Sequence, residues 1–154
     1  MPRDSTVIVD TGPLVALFDR DDAYHALCRA ELKKIHRPLV TVWPVLTEAM
    51  YLLSFSAQVQ DDLWEFIMRG GLQVAELTFG DVARLRELMR TYKDRPMDLA
   101  DAALVRLAER ENLRTLFTLD HTDFRIYKPA HVRAFTLIPA RLISKRSGPR
   151  RKRR

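Results

Sequence analysis

Thr6-Val7-Ile8-Val9-Asp10-Thr11-Gly12-Pro13 is the stretch on which the fold turns. A short β-branched run reads as a buried strand. It stops at a carboxylate followed by turn-forming residues, which places Asp10 at the strand's C-terminal end. In open parallel α/β sheets that edge is where sites are built. Asp10 has a plainer reading as well, the N-cap of the helix that follows, its side chain accepting a backbone N–H. Whether other carboxylates are sent to the same edge separates the two readings.

Working outward, Leu14 to Phe18 reads as a short apolar helix with Pro13 in its first turn. Asp22 to Ile35 reads as a longer outer-layer helix, with apolar and small positions recurring near three and four. Leu39 to Val42 is a second strand, and Trp43-Pro44 opens a helix running toward Ser56. Ala57 to Met68 is a helix ended by Gly70-Gly71, and Leu72 to Leu77 a third strand. Thr78 and Asp81 form a capping box that starts a helix to about Tyr92. A further helix covers Asp98 to Glu111. Thr115 to Asp120 is a fourth strand ending in an Asp as the first does, and Ala134 to Ile138 is the last. Strands alternating with helices predict an α/β fold, a mostly parallel sheet of four or five strands covered on both faces.

At 154 residues, 47% hydrophobic and 30% charged, the chain has room for one core and one domain, residues 1–140. No apolar run approaches the roughly 20 residues that span a bilayer, and the N-terminus has no signal-peptide pattern. The expected location is cytoplasmic, with no membrane partner. The single Cys28 can form no internal disulfide and reads as a buried thiol. The formal charge of +6 is uneven: Lys145 to Arg154 holds seven cations and no acid, and without them the preceding chain carries −1. Residues 141–154 therefore read as a basic tail, expected to be disordered and solubilising, with nonspecific phosphate contact as the alternative.

Several acids stand where packing alone would not put them. Glu48 is the only charged residue between Arg37 and Asp61, inside a helix of Val45, Leu46, Ala49, Met50, Leu52 and Leu53. An unpaired carboxylate there is costly unless it has a use. On a helical projection Asp101 shares its side with Leu104, Val105, Leu107 and Ala108, while Arg106, Glu109 and Arg110 cluster opposite. Asp98 is an N-cap or a supporting acid. Asp120 repeats the setting of Asp10, and Asp123 either holds a turn or assists it. His25, His36, His121 and His131 show no ligand spacing and read as surface or turn residues.

If Asp10, Glu48, Asp101 and Asp120 converge, each pair about 4 Å apart costs roughly 4 kcal/mol at an effective dielectric near 20, too much for a small domain to carry repeatedly. Protons or cations must offset this. No Lys or Arg lies between Arg3 and Arg20 or between Arg37 and Arg69. Hard oxygen ligands without Cys or His favour Mg2+, with Mn2+ as the alternative. Such a set suits metal-assisted phosphodiester hydrolysis by an activated water.

These motifs, in order and spacing, resemble those of PIN domains: Val-Ile-Val-Asp10-Thr-Gly-Pro-Leu, Glu48 in an apolar helix, Met97-Asp98-Leu-Ala-Asp101-Ala-Ala-Leu, and Thr118-Leu-Asp120-His-Thr-Asp123-Phe124. The resemblance covers Val7 to Ala140 and is nearest in form to VapC-type toxins of bacterial toxin–antitoxin pairs. It implies a PIN-like three-layer α/β/α sandwich and a Mg2+-dependent endoribonuclease, usually a homodimer, inhibited by a small antitoxin. It implies Asp10 and Asp101 as the direct metal contacts, with Glu48 and Asp120 as the other acidic positions. Thr11 and Thr118 would support the cleft by hydrogen bonding, and Asp98 and Asp123 would be auxiliary acids. Two rival readings remain. One is a phosphatase with Asp10 as nucleophile, although Gly12 stands where that pattern expects a second Asp. The other is a non-catalytic RNA- or partner-binding module.

Overall fold

The computed structural model describes residues 6–142. Within them β1 (Val7–Val9), β2 (Leu39–Val42), β3 (Gln73–Ala75), β4 (Thr115–Phe117) and β5 (Thr136–Ile138) form one sheet in the order β3-β2-β1-β4-β5. Every neighbouring pair is parallel. The central strand explains its own composition: Ile8 registers with Val40 on one side and Leu116 on the other, and Val7, Ile8 and Val9 are fully buried. A strand covered on both faces is apolar throughout instead of alternating.

Seven α-helices among the described residues link the strands: α1 (Thr11–Phe18), α2 (His25–Lys34), α3 (Trp43–Leu52), α4 (Ala57–Met68), α5 (Val82–Thr91), α6 (Leu99–Glu111) and α7 (His121–Ile126). Connections β1→β2→β3 step one way along the sheet, and β3→β4→β5 step back past β1 to its other side. With the right-handed crossovers usual for parallel strands, the helices after β1 and β2 cover one face and those after β3 and β4 the other, the three-layer sandwich; α1 packs on α2, α3 and α4, and α5 on α6. Strand order reverses between β1 and β4, so the crevice at their carboxyl ends is the topological switch point.

Several local expectations shift. The second helix begins at His25 and not Asp22, because Asp19 and Asp22 take the Asp21 and Tyr24 N–H groups at 3.1 and 2.8 Å in tight side-chain turns that compete with helix. The third ends at Leu52, short of Ser56, whose hydroxyl instead caps α4. The fourth strand ends at Phe117, three residues before Asp120, and a helix unforeseen from the sequence, α7, follows. The Thr78–Asp81 capping box is present, closing a 3-10 turn (Phe79–Asp81) ahead of α5.

The face of α6 opposite Asp101 is not a solvated stripe. Arg106 and Arg110 reach Asp81 at 2.7 and 2.8 Å, and Arg84 on α5 makes a bidentate pair with Glu109, both bonds 2.8 Å. Asp81 is 1% exposed. Burial pushes its carboxyl up, but the Thr78 N–H and the two guanidiniums outweigh that and hold it below the ordinary range. This ion-paired seam joins α5 to α6 and fixes the helix that carries Asp98 and Asp101.

Three of the four histidines make specific contacts that their spacing did not suggest, and His36 is exposed as expected. His25 Nδ1 lies 2.6 Å from the Ala16 carbonyl, and His131 Nε2 lies 2.6 Å from that of Leu113. His121 is buried, its Nε2 3.0 Å from the Thr118 carbonyl. Cys28 is buried, as its sequence context indicated. The basic run Lys145 to Arg154 lies outside the described residues.

Candidate active site

The sheet edge receives acids by separate local devices. Asp10 leaves β1 in extended backbone and N-caps α1, the plainer of its two readings, while standing at the carboxyl edge of the sheet. Its Oδ1 accepts the Thr11 N–H at 2.7 Å and its Oδ2 accepts the Thr118 hydroxyl at 2.8 Å. Both oxygens are held, and only 8% of the residue is exposed. Glu48 projects half-buried from the middle of α3, between the buried Leu46 and Ala49.

Asp101 lies in the first turn of α6, half-buried, with its Oδ2 accepting the Tyr127 hydroxyl at 3.1 Å. Asp98 N-caps the same helix, its Oδ1 accepting the Asp101 N–H at 2.9 Å. Asp120 N-caps α7 through the Asp123 N–H at 3.2 Å and gives its own N–H to the Thr118 hydroxyl at 3.0 Å. Thr118 is thus a two-way link, donating to Asp10 and accepting from Asp120. Three helix N-termini bring acids to this edge, where their partial positive charge favours carboxylates.

That help falls short of what the acids cost one another. Burial first, then the charges of Asp120 and Glu48, raises Asp10 to about 6, although Thr118 and Thr11 pull it back. Asp101 is pushed to about 8 by burial, Asp98, Asp10 and Asp120, against the Tyr127 hydroxyl. Glu48 is raised by burial and by Asp98. Asp120 is raised by burial, the Asp123 side chain and Asp98. The mutual influences bring Asp10, Glu48, Asp98, Asp101 and Asp120 within electrostatic range of one another. Among the described residues, none of them has an ion pair. Asp123 faces Asp120 at the rim.

Protons or a cation would offset this repulsion, and the donors present are oxygens, which suit a hard divalent cation. Thr11 Oγ1 adds a buried hydroxyl: it eases the Glu48 carboxyl downward but makes no hydrogen bond of ordinary geometry, leaving its oxygen without a partner. Among the described residues no three acid, imidazole or thiolate side chains are placed to hold one ion together. Mg2+ binds through one or two carboxylates and keeps much of its water, so a partial cage fits it.

Two features here gave no signal in the sequence. Tyr127 reaches Asp101 only because α7 turns the chain back, and that helix was not foreseen. Beside the acids lies a groove of about 640 Å³, with Trp43, Tyr51 and Leu99 among its walls and Glu48 and Asp98 at its edge. A tryptophan next to Pro44 reads as a helix start, and nothing local marks it as a wall.

Fold and site together define an α/β/α sandwich with an oxygen-donor cleft at the carboxyl edge of its parallel sheet. The chain belongs to the PIN-domain family, whose pattern it matches over residues 7–129. It is 30% identical to Ribonuclease VapC26 of Mycobacterium tuberculosis over 135 residues, 86% of this chain and 100% of that one. Among solved structures it is similar to M. tuberculosis VapC20, a sarcin-ricin loop cleaving toxin, with TM-score 0.72 and 19% identity over 82% of this chain and 98% of that one. It also resembles VapBC2 from Rickettsia felis bound to a promoter DNA fragment (TM-score 0.60, 18% identity, 86% and 96% covered). A toxin–antitoxin complex from Klebsiella pneumoniae shares the fold as well (0.59, 19%, 77% and 89%).

Proposed function

We propose that this VapC-like chain is a Mg2+-dependent endoribonuclease and the toxin of a toxin–antitoxin pair. The observation that carries the reading is the group of acids at the β1–β4 switch point, raised by one another and by burial, with no basic partner among the described residues. The 30% identity to a protein named a ribonuclease supports RNA as the substrate class. Asp10 and Asp101 would hold the cation, directly or through water, with Mn2+ able to replace Mg2+, and Glu48 and Asp120 would complete its shell through water or orient the attacking water. Bound there, the ion would supply Lewis acidity at the phosphate and ease deprotonation of water.

The chain's own part is preorganisation. Thr11 N–H and the Thr118 hydroxyl fix both Asp10 oxygens, so the carboxylate need not reorient to bind. Tyr127 holds one oxygen of Asp101 and leaves the other for the cleft. Asp98 tethers the first turn on which Asp101 sits, and Asp120 is fixed at the start of α7 by accepting the Asp123 N–H. An antitoxin partner is supported by the likeness to toxin–antitoxin complexes. A homodimer is supported by large exposed apolar side chains, Phe55, Trp64 and Met68 among them. No helix among the described residues is long and apolar enough to cross a membrane, which accords with a cytoplasmic toxin.

The test replaces Asp10 or Asp101 by Asn and compares RNA cleavage in Mg2+ and in EDTA, with circular dichroism to verify folding. Loss of cleavage in both variants and in EDTA is expected. A folded variant cutting at the wild-type rate sinks the assignment, and cleavage undiminished by EDTA sinks the metal.

A further inference from the structure

The groove beside the acids is built differently from the cleft. Trp43, at the start of α3, is 48% exposed, Tyr51 is 73% and Leu99, at the start of α6, is 48%. Trp43, Thr47 and Tyr51 recur every fourth residue and so share one side of α3. The remaining polar groups are Glu48 and Asp98, and no Lys, Arg or His lines the groove. A phosphate entering it would meet two carboxylates and no cation, so the sugar–phosphate strand must pass outside. A flat, neutral group fares better. Aromatic walls stack nucleobases regardless of sequence, and carboxylates accept hydrogen bonds from base amino groups.

Size and position agree with this. About 640 Å³ falls in the range of pockets for small ligands and holds a base with its ribose. Glu48 belongs to both groove and cleft, so the two are continuous, and a base lodged here would adjoin the phosphate brought to the acids. Taking the cleft as a ribonuclease site, we propose that the groove is a nucleobase subsite. It stacks an unpaired, amino-bearing base of the nucleotide next to the scissile phosphate against Trp43 and Tyr51, with Asp98 accepting from the amino group. A base within a duplex is already stacked and paired, so the subsite selects RNA that is single-stranded at that point.

The experiment uses Trp43 as its own reporter. The chain has two tryptophans, so Trp64→Phe leaves Trp43 alone. In this background, with Asp101→Asn to prevent cleavage, end-labelled RNA hexamers of A, C or U, a hexamer with abasic central positions and a duplex are titrated in EDTA. Binding is followed by label anisotropy and stacking by Trp43 fluorescence. The A and C hexamers should quench Trp43 more strongly than U, the abasic strand and the duplex should not, and Tyr51→Ala should weaken binding about 10-fold. In the otherwise native chain with Mg2+, Trp43→Ala should raise KM about 10-fold with a smaller change in kcat, and Trp43→Phe should restore most of it. The proposal is overturned if no hexamer binds, if RNA binds without quenching, or if the abasic strand quenches equally. It is also overturned if Trp43→Ala and Tyr51→Ala spare RNA affinity yet weaken a cognate antitoxin or change the oligomeric state. Quenching is read without Mg2+ or cleavage, so its failure leaves the Asp10 and Asp101 cleavage test standing, and failure of that test leaves the quenching result intact.

Discussion

The Thr118 hydroxyl donates to Asp10 at 2.8 Å across 108 residues of sequence. The same oxygen accepts the Asp120 N–H at 3.0 Å, and the donating side chain is fully buried. One small side chain therefore ties the end of β1 to the start of α7 and sets the direction of one acid while holding the backbone of another.

Thr118→Val keeps the shape and removes both bonds. Leaving a buried Asp10 oxygen without its donor should cost about 1–3 kcal/mol of stability, read by urea denaturation. RNA cleavage by the folded fraction should fall at least about 10-fold, since a misdirected acid no longer meets the developing charge. Thr118→Ser should restore both. A fully active Thr118→Val protein would show that the link is not needed.

Tyr127→Phe separates orientation from packing, because the ring contacts with Tyr92 and Phe124, at 5.1 and 5.4 Å between centroids, remain. The hydroxyl lowers the Asp101 carboxyl, so its loss should drive that group further up. The rising limb of the pH–rate profile should move to higher pH and half-saturation by Mg2+ should need more metal. KM for RNA should hold, with stability down by about 1 kcal/mol. An unmoved pH profile would assign Tyr127 to packing alone.

Metal-free protein should lose stability as pH rises. Asp10 and Asp101 sit at about 6 and about 8, above the 3.8 usual for Asp, so the folded chain binds protons more tightly than the unfolded chain. The stability these two groups contribute is full below about pH 4, where both states are protonated, and falls as pH rises to about 8, levelling off above. In EDTA the Tm should decline from pH 5 to 8, Mg2+ should raise it most at pH 8, and Asp101→Asn should flatten the slope. A Tm independent of pH over that range, with or without Mg2+, would contradict the assignment.

Asp81 behaves in the opposite sense. Its carboxyl is held low, so its contribution is present at neutral pH and is lost as acid protonates it. Asp81→Ala takes from half-buried Arg106 its carboxylate and leaves Arg110 with Glu111 and the Glu76 carbonyl, and should cost about 3 kcal/mol by chemical denaturation. Asp81 makes no contact with the cleft acids, so the folded fraction should keep its kcat. A stable Asp81→Ala protein would mean that the helices hold α6 in place unaided.

The sequence alone determined the class and the main acids, because these rest on local rules. β-branched runs and helical periodicity specify elements from neighbours in the chain, and an acid without a nearby cation is visible as an anomaly, as at Glu48 and Asp101. Ala57–Met68 and the α6 boundary came out as read, each with a capping side chain, Ser56 and Asp98, in place. Tertiary structure decided whatever depends on contacts between distant segments. It fixed the strand order that makes β1 and β4 neighbours, the Thr118–Asp10 and Tyr127–Asp101 bonds, and the ion pairs that make the charged side of α6 an interface with α5. It also gave each oxygen of Asp10 its own hydrogen-bond partner. A single carboxylate has two oxygens, so capping a helix with one leaves the other to be aimed by a residue that only the folded sheet brings near.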